Sequence, residues 1–338
     1  MKAVGYSKPL AISEPNSLVD FTADTPQPGE RDLRVKVAAV SVNPVDTKVR
    51  IRAKPADGAP SKVLGYDAAG IVDAVGAKVT LFKPGDEVYY AGSIVRPGTN
   101  SEFHLVDERI VGFKPKTLSF AQAAALPLTT ITAWEILFDR LAVIPGKAPD
   151  QRALLVIGGA GGVGSMLIQL ARRLTGLTVI ATASRPESRA WCFKLGAHHV
   201  IDHSAPMAAQ LKAIGHPSVA LVASLTGTEQ HFPAMPEIIA PQGKFALIDD
   251  PKSFDVMPFK GKSVSVHWES MFTRSSFTTL DMIAQHHLLS DVAAMIDDGI
   301  VVTTLAKELS PINAANLKQA HAMVESGRSI GKVVLSGW

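Results

Sequence analysis

The sequence predicts an α/β protein in two parts, a mainly antiparallel β domain followed by an open, doubly wound sheet. Three observations predict this. The chain has 338 residues, enough for two domains. Up to about Ala125 it reads as short strand-like runs broken by Pro and Gly. From Gln151 onward, apolar strand-like runs alternate with helical ones.

Composition supports a buried core and narrows the function classes. Hydrophobic residues make up 46% and charged residues 19%, a globular rather than a disordered balance. A chain of this size buries roughly three quarters of the surface its unfolded form exposes. The single cysteine, Cys192, excludes a disulfide framework and a cysteine-rich zinc module. A net charge of +3, with Lys and Arg scattered singly, argues against a nucleic-acid partner. No stretch is apolar and long enough to span a membrane, and the opening Met1 to Tyr6 lacks an apolar signal core. The expectation is a cytoplasmic protein.

In the first part, Leu33 to Val37 alternates apolar and basic side chains, the period of a half-buried strand. Turn signals stand at Pro26 to Gly29, Pro55 to Pro60, Pro84 to Asp86 and Pro97-Gly98, with no long amphipathic helix between them. Ser119 to Phe138 is Ala- and Leu-rich with helical spacing and marks the crossing into the second part. Ala153 to Ile157 is a continuous apolar run, as for a parallel strand covered on both faces. Further strands are expected at Thr178 to Thr182, His199 to Ile201, Val219 to Ala223, Lys244 to Ile248 and Ser263 to Val266. Helices are expected at Met166 to Leu174, Glu187 to Leu195 and Ile312 to Val324, with a closing strand at Lys332 to Leu335.

Between the first parallel strand and its helix lies Gly158-Gly159-Ala160-Gly161-Gly162-Val163-Gly164. Gly159, Gly161 and Gly164 have the spacing that cradles a dinucleotide pyrophosphate. The first allows a tight turn, the second a close backbone approach, the third helix–strand packing. The following helix N-terminus, with the N–H groups of Gly162 and Val163, favours the negative charge. At the tip of the second strand an NAD site would place Asp or Glu. This chain has Ser184 and Arg185 there, with Arg189 one turn on. A hydroxyl and a guanidinium suit a 2′-phosphate, so NADPH is the expected cofactor.

Several segments in order then carry a resemblance over essentially the whole chain: Val40 to Asp46, Leu64 to Gly70, Val79 to Val88, Ala123 to Pro127 with Thr132 to Trp134, the glycine loop, and Ile330 to Leu335. Together they resemble the medium-chain dehydrogenase/reductase superfamily, in its zinc-free quinone-oxidoreductase-like branch. The similar subgroup is named zinc-type alcohol dehydrogenase-like. The resemblance implies a GroES-like catalytic domain (1–125), a Rossmann NADP-binding domain (126–272), and a C-terminal segment (273–338) that completes the first domain.

Zinc-dependent members of that superfamily carry a Cys near the place of Asn43 and a His-Glu pair at the place of Tyr66-Asp67. This chain lacks those ligands, and Cys192 falls on a helix of the second domain. His198, His199 and His203 crowd the third strand, away from the cleft, where adjacent side chains face opposite ways. No metal site is expected. Without a Lewis acid, reduction of an electron-poor quinone or enone is the favoured chemistry. Alcohol or aldehyde oxidoreduction, and NADPH binding without turnover, are the alternatives.

By position in the resembling motifs, Asn43 and Tyr66 are the catalytic candidates. Asn43 is suited to donate to cofactor ribose or to substrate oxygen. Tyr66 is suited to donate to the product oxygen or simply to pack the cleft wall. Thr132 resembles a threonine beside the nicotinamide ribose. Ser224, Thr226, Ile248 and Asp249 lie at strand ends where ligands bind in open α/β sheets. Lys332 is either a cofactor contact or a solvated strand-end lysine. The last strand of the sheet has no blunting Pro or Lys, which favours a homodimer through that edge.

Overall fold

The computed structural model describes residues 1–338. They form two compact units, 1–131 with 272–338, and 132–271. The first unit opens with β1 (Lys2–Tyr6), β2 (Val19–Thr22), β3 (Asp32–Val42), β4 (Lys62–Val63), β5 (Ala68–Val75), β6 (Glu87–Tyr90), β7 (Phe103–Asp107) and β8 (Val111–Phe113). The second unit contributes β9 (Ala153–Ile157), β10 (Thr178–Thr182), β11 (His199–Ile201), β12 (Val219–Ser224), β13 (Ile239–Leu247) and β14 (Ser265–Trp268). β15 (Leu305–Leu309) and β16 (Lys332–Ser336) return to the first unit.

In the first unit β16 pairs antiparallel with β3, so the returning segment completes a seven-stranded sheet of order β15-β16-β3-β5-β6-β8, with β7 also on β3. Strand β3 is longer than its alternating stretch suggests. Beyond Val37 it changes register and runs on as the buried Val40-Ser41-Val42, paired to β16. It then breaks into a nine-residue helix, Pro44–Arg52, which the sequence reading does not contain. Pro44 opens that helix and the Asp46 carboxylate accepts from the Asn43 N–H, the geometry of a capped N-terminus. β-Branched Thr47, Val49 and Ile51 obscure it locally. Further elements also emerge only here, among them the helix Ala284–Asp297 and the largely exposed strand β15.

The second unit is a parallel six-stranded sheet of order β11-β10-β9-β12-β13-β14, the doubly wound arrangement. Central β9 is buried along its whole length, as its unbroken apolar run requires. Its last strand starts two residues later than expected: Ser263 adopts a left-handed conformation (φ 52°) closing a 3₁₀ turn, and Trp268 falls inside β14. Near the start of this unit Glu135–Arg140 forms a π-helical turn. No helix is long and apolar enough to cross a membrane.

Candidate cofactor and catalytic sites

In the first unit the end of β3, the start of β5 and the start of β16 bring together a buried polar cluster. Lys332, only 4% exposed, donates from Nζ to Asn43 Oδ1 (2.6 Å) and to the Val42 carbonyl (2.9 Å), and lies 3.3 Å from Asp67 Oδ2. Asn43 Nδ2 and Ser41 Oγ both donate to Asp67 Oδ2 at 2.7 Å, and the Leu128 N–H donates to Asp67 Oδ1 at 2.7 Å. Asp46 accepts from the Asn43 N–H at 2.7 Å and from the Gly65 N–H at 3.0 Å. Gly65 is required there: its φ is +109°, and a Cβ would stand 2.4 Å from Thr99 Oγ1.

Burial opposes every charge in this cluster. It pushes Asp46 up to about 7, against the hydrogen bond from Asn43 and the charge of Lys332. It raises Asp67 and lowers Lys332, while their mutual attraction works the other way. Four donors converge on Asp67, so the geometry serves an ionised pair. Asn43 therefore lies between an ammonium and a carboxylate, and Lys332 is engaged by oxygens of its own unit. Asp67 and Ser41 are the members the sequence reading passed over.

Tyr66 stands beside this cluster with its ring edge against Phe272 (centroids 5.3 Å, 73°). Its side chain is 1% exposed, and its hydroxyl has no hydrogen-bond partner. Burial, and then the charge of Asp46, hold it well above the ordinary phenol range. It is a neutral O–H donor awaiting an acceptor.

In the second unit the glycine loop divides its labour by geometry. Gly158 has φ +83°, and a Cβ on it would meet Thr226 Cγ2 at 2.7 Å. A Cβ on Gly159 would stand 2.8 Å from Ala181 Cβ, and one on Gly164 would stand 2.4 Å from the Gly158 oxygen. Gly161 differs, since nothing lies closer than 3.5 Å to such an atom. Packing of this chain therefore does not demand glycine at 161, where the space beside the backbone is open. The helix Gly162–Leu174 starts there, and the N–H groups of Gly162, Val163 and Gly164 have no intrahelical acceptors. These residues fit a dinucleotide pyrophosphate.

Around that loop the carboxyl ends of the strands assemble further polar groups. Thr182 Oγ1 accepts from the Gly158 N–H (3.1 Å) and lies 3.2 Å from His203 Nδ1. His203 is thus beside the loop at the tip of β10, contrary to its expected place away from the cleft. Ser184 is exposed, and half-buried Arg185 lies 3.4 Å from Glu187. Arg189 donates to the Val200 and Ala183 carbonyls. Ser224 Oγ pairs with Thr228 Oγ1 at 2.7 Å, and Asp249 accepts from the Thr228 N–H and hydroxyl; Ile248 is half-buried beside it. Thr132 is buried at the start of the unit. A buried carboxyl pair, Glu135 and Glu269, shares Arg140, whose Nε lies 2.7 Å from Glu269. Burial, then the charge and hydrogen bond of Glu135, push Glu269 up to about 9.

Zinc would require three or four N, O or S donors converging on one open centre. The oxygens of Asn43 and Asp67 instead close on the Lys332 ammonium, a cation already in place. Cys192 is buried against Gly159 in the other unit, its thiol pushed up to about 12 by burial. The residues present do not fit a zinc ion.

Comparison with known proteins matches residues 29–133 to the alcohol dehydrogenase GroES-like domain and residues 195–335 to the family described as zinc-binding dehydrogenase. A zinc-type alcohol dehydrogenase-like protein of Staphylococcus aureus strain COL is 40% identical over 338 residues, 99% of this chain and 100% of that one. A Rhizobium etli CFN 42 protein, assigned by name to the zinc-dependent alcohol dehydrogenases, is 61% identical in its crystal structure, with a TM-score of 0.96 over 100% of this chain and 98% of that one. The quinone oxidoreductase of Pseudomonas syringae pv. Tomato DC3000 is 26% identical, with a TM-score of 0.83 over 99% of both chains. The chain belongs to the medium-chain dehydrogenase/reductase superfamily, in its quinone-oxidoreductase-like branch, and is an oxidoreductase of the kind that uses a nicotinamide cofactor.

Proposed function

We propose that this protein is an NADPH-dependent reductase of quinones or α,β-unsaturated carbonyls that works without a metal. The observation that carries the reading is the Tyr66 hydroxyl, buried, neutral and without a partner. An unpaired buried hydroxyl costs about 1–3 kcal/mol, and a substrate oxygen that gains negative charge during reduction would recover it. When bound, NADPH supplies the hydride. Tyr66 donates its hydrogen bond to the enolate or hydroquinone oxygen, the role a polarising metal would otherwise fill.

Lys332 and Asn43 act one step back. By neutralising and bonding Asp67 they hold the end of β3 and the Leu128 N–H in place. In the second unit Gly161, Gly162, Val163 and Gly164 would take the pyrophosphate, and Ser184 with Arg185 the 2′-phosphate. Steady-state NADPH oxidation with a panel of quinones and enones tests the reading. Turnover with these substrates, and none of alcohols with NADP⁺, is expected. Alcohol oxidation alone, or tight NADPH binding with no turnover of any substrate, would overturn it.

A further inference from the structure

Apart from the Asn43–Lys332 cluster, the first unit contains a cavity of about 210 Å³. Its wall is largely apolar, with Val95, Leu105, Val106, Ile110 and Met282. The charged residues in that wall are already matched. Arg96 makes a two-pronged pair with Asp32 (2.8 and 2.9 Å), and Asp107 makes one with Arg109 (2.9 and 2.8 Å). A ligand there gains nothing from carrying a charge.

One polar group buried in the wall is unmatched. Ser93 is 5% exposed, and its Oγ has no partner. Ser275, Ser276 and Thr278 of the wall belong to the helix Thr273–Phe277 and the turn after it, where Thr278 holds φ +48°. A left-handed β-branched residue is strained, and such strain gathers at ligand sites. Val95 in the wall is exposed, and so are Phe277 and Leu280, the apolar residues on either side of Thr278 in the chain. The same helix leads to the proposed catalytic tyrosine: Ser275 Oγ donates to the Phe272 carbonyl (3.1 Å), and the Phe272 ring packs on Tyr66.

We propose that this cavity is the subsite for the neutral alkyl tail of the substrate, which makes medium-chain enals and enones better substrates than bare ring quinones. The proposal rests on the reductase reading for its substrate chemistry, but not for its binding.

The test is calorimetric titration of the full-length protein, without cofactor, with 2-heptanone, a neutral ketone with a five-carbon tail, and with hexanoate as the charged counterpart. Saturable 2-heptanone binding at least tenfold tighter than hexanoate is expected. Ser276→Trp, which fills the cavity from the helix side, should abolish it. Ser93→Ala, which removes only a hydroxyl, should weaken it about two- to twelvefold. In turnover, kcat/KM should rise from but-2-enal to oct-2-enal in the wild type and stay flat in Ser276→Trp, with NADPH affinity unchanged. No saturable binding, or binding indifferent to both substitutions, overturns the subsite. Binding that is lost as expected, in a protein that reduces no enal or quinone, upholds the subsite and removes the reductase reading instead.

Discussion

Tyr66, Arg185 and Glu269 each carry a consequence that one substitution exposes. Tyr66→Phe keeps the ring against Phe272 and deletes the unpartnered hydroxyl. Folding stability should hold or rise slightly, while kcat falls roughly a hundredfold, the usual scale for removing a positioned proton or hydrogen-bond donor. Unchanged kcat would leave Tyr66 a packing residue. Arg185→Ala should raise the dissociation constant for NADPH about ten- to a hundredfold and barely move that for NADH, since a charge-assisted hydrogen bond contributes about 1.5–3 kcal/mol; equal losses for both would contradict the 2′-phosphate role. Glu269 has an ordinary value of 4.5 and is pushed up to about 9 by burial and Glu135. Between those limits the folded protein keeps a proton that the unfolded chain has released. Its contribution to stability is therefore full below about pH 4.5 and lost as pH rises through about 9, with a slope of at most about 1.4 kcal/mol per pH unit. Glu269→Gln should flatten that decline in urea unfolding measured from pH 5 to 9.

At the scale of elements, the glycine loop offers the sharpest contrast. Gly164 packs backbone to backbone against Gly158, whereas Gly161 touches nothing that a methyl group would displace. Gly164→Ala should therefore damage folding itself, seen as a large fall in the unfolding midpoint. Gly161→Ala should fold normally and lose cofactor affinity, seen in NADPH fluorescence titration. If both variants bind NADPH like the wild type, the pyrophosphate lies elsewhere. The central strands of this unit were legible because β9 is a continuous apolar run and β10 has an apolar Val-Ile-Ala core, as a sheet covered on both faces requires. The helix Pro44–Arg52 was not, because its apolar spacing is weak and its start depends on Asp46 reaching back to Asn43. Strand β15, Leu-Ala-Lys-Glu-Leu, was hidden by its charges; it is an edge that only β16 pairs.

On the scale of the whole molecule, the strand order leaves β14 at the edge of the second unit's sheet. Nothing in Ser265-Val266-His267-Trp268 blunts it, and Trp268 is 57% exposed beside Phe254, with Val256 and Met257 also exposed. We propose that two copies pair through this edge across a two-fold axis, antiparallel and self-complementary. Light scattering at micromolar concentration should report twice the mass of one chain. Val266→Pro, which blocks ladder hydrogen bonding within β14, should shift the protein to monomer while it still binds NADPH. A monomeric wild type would end the proposal.

Local sequence by itself determined the strand–glycine–helix unit and the missing carboxylate at the tip of β10, which follow from backbone conformation and local charge. Asn43 and Tyr66 stand out only through the resemblance of their motifs to a known family. Only the tertiary structure decided what Asn43 and Lys332 do, since they lie 289 residues apart and meet where β16 closes onto β3. It likewise brought Asp67 to both, His203 to the glycine loop, and Glu135 to Glu269. For the cluster of Lys332, Asp67 and Asn43 the physical reason is electrostatic. A buried charge must find its partner wherever the fold can supply one, and no spacing along the chain records where that will be.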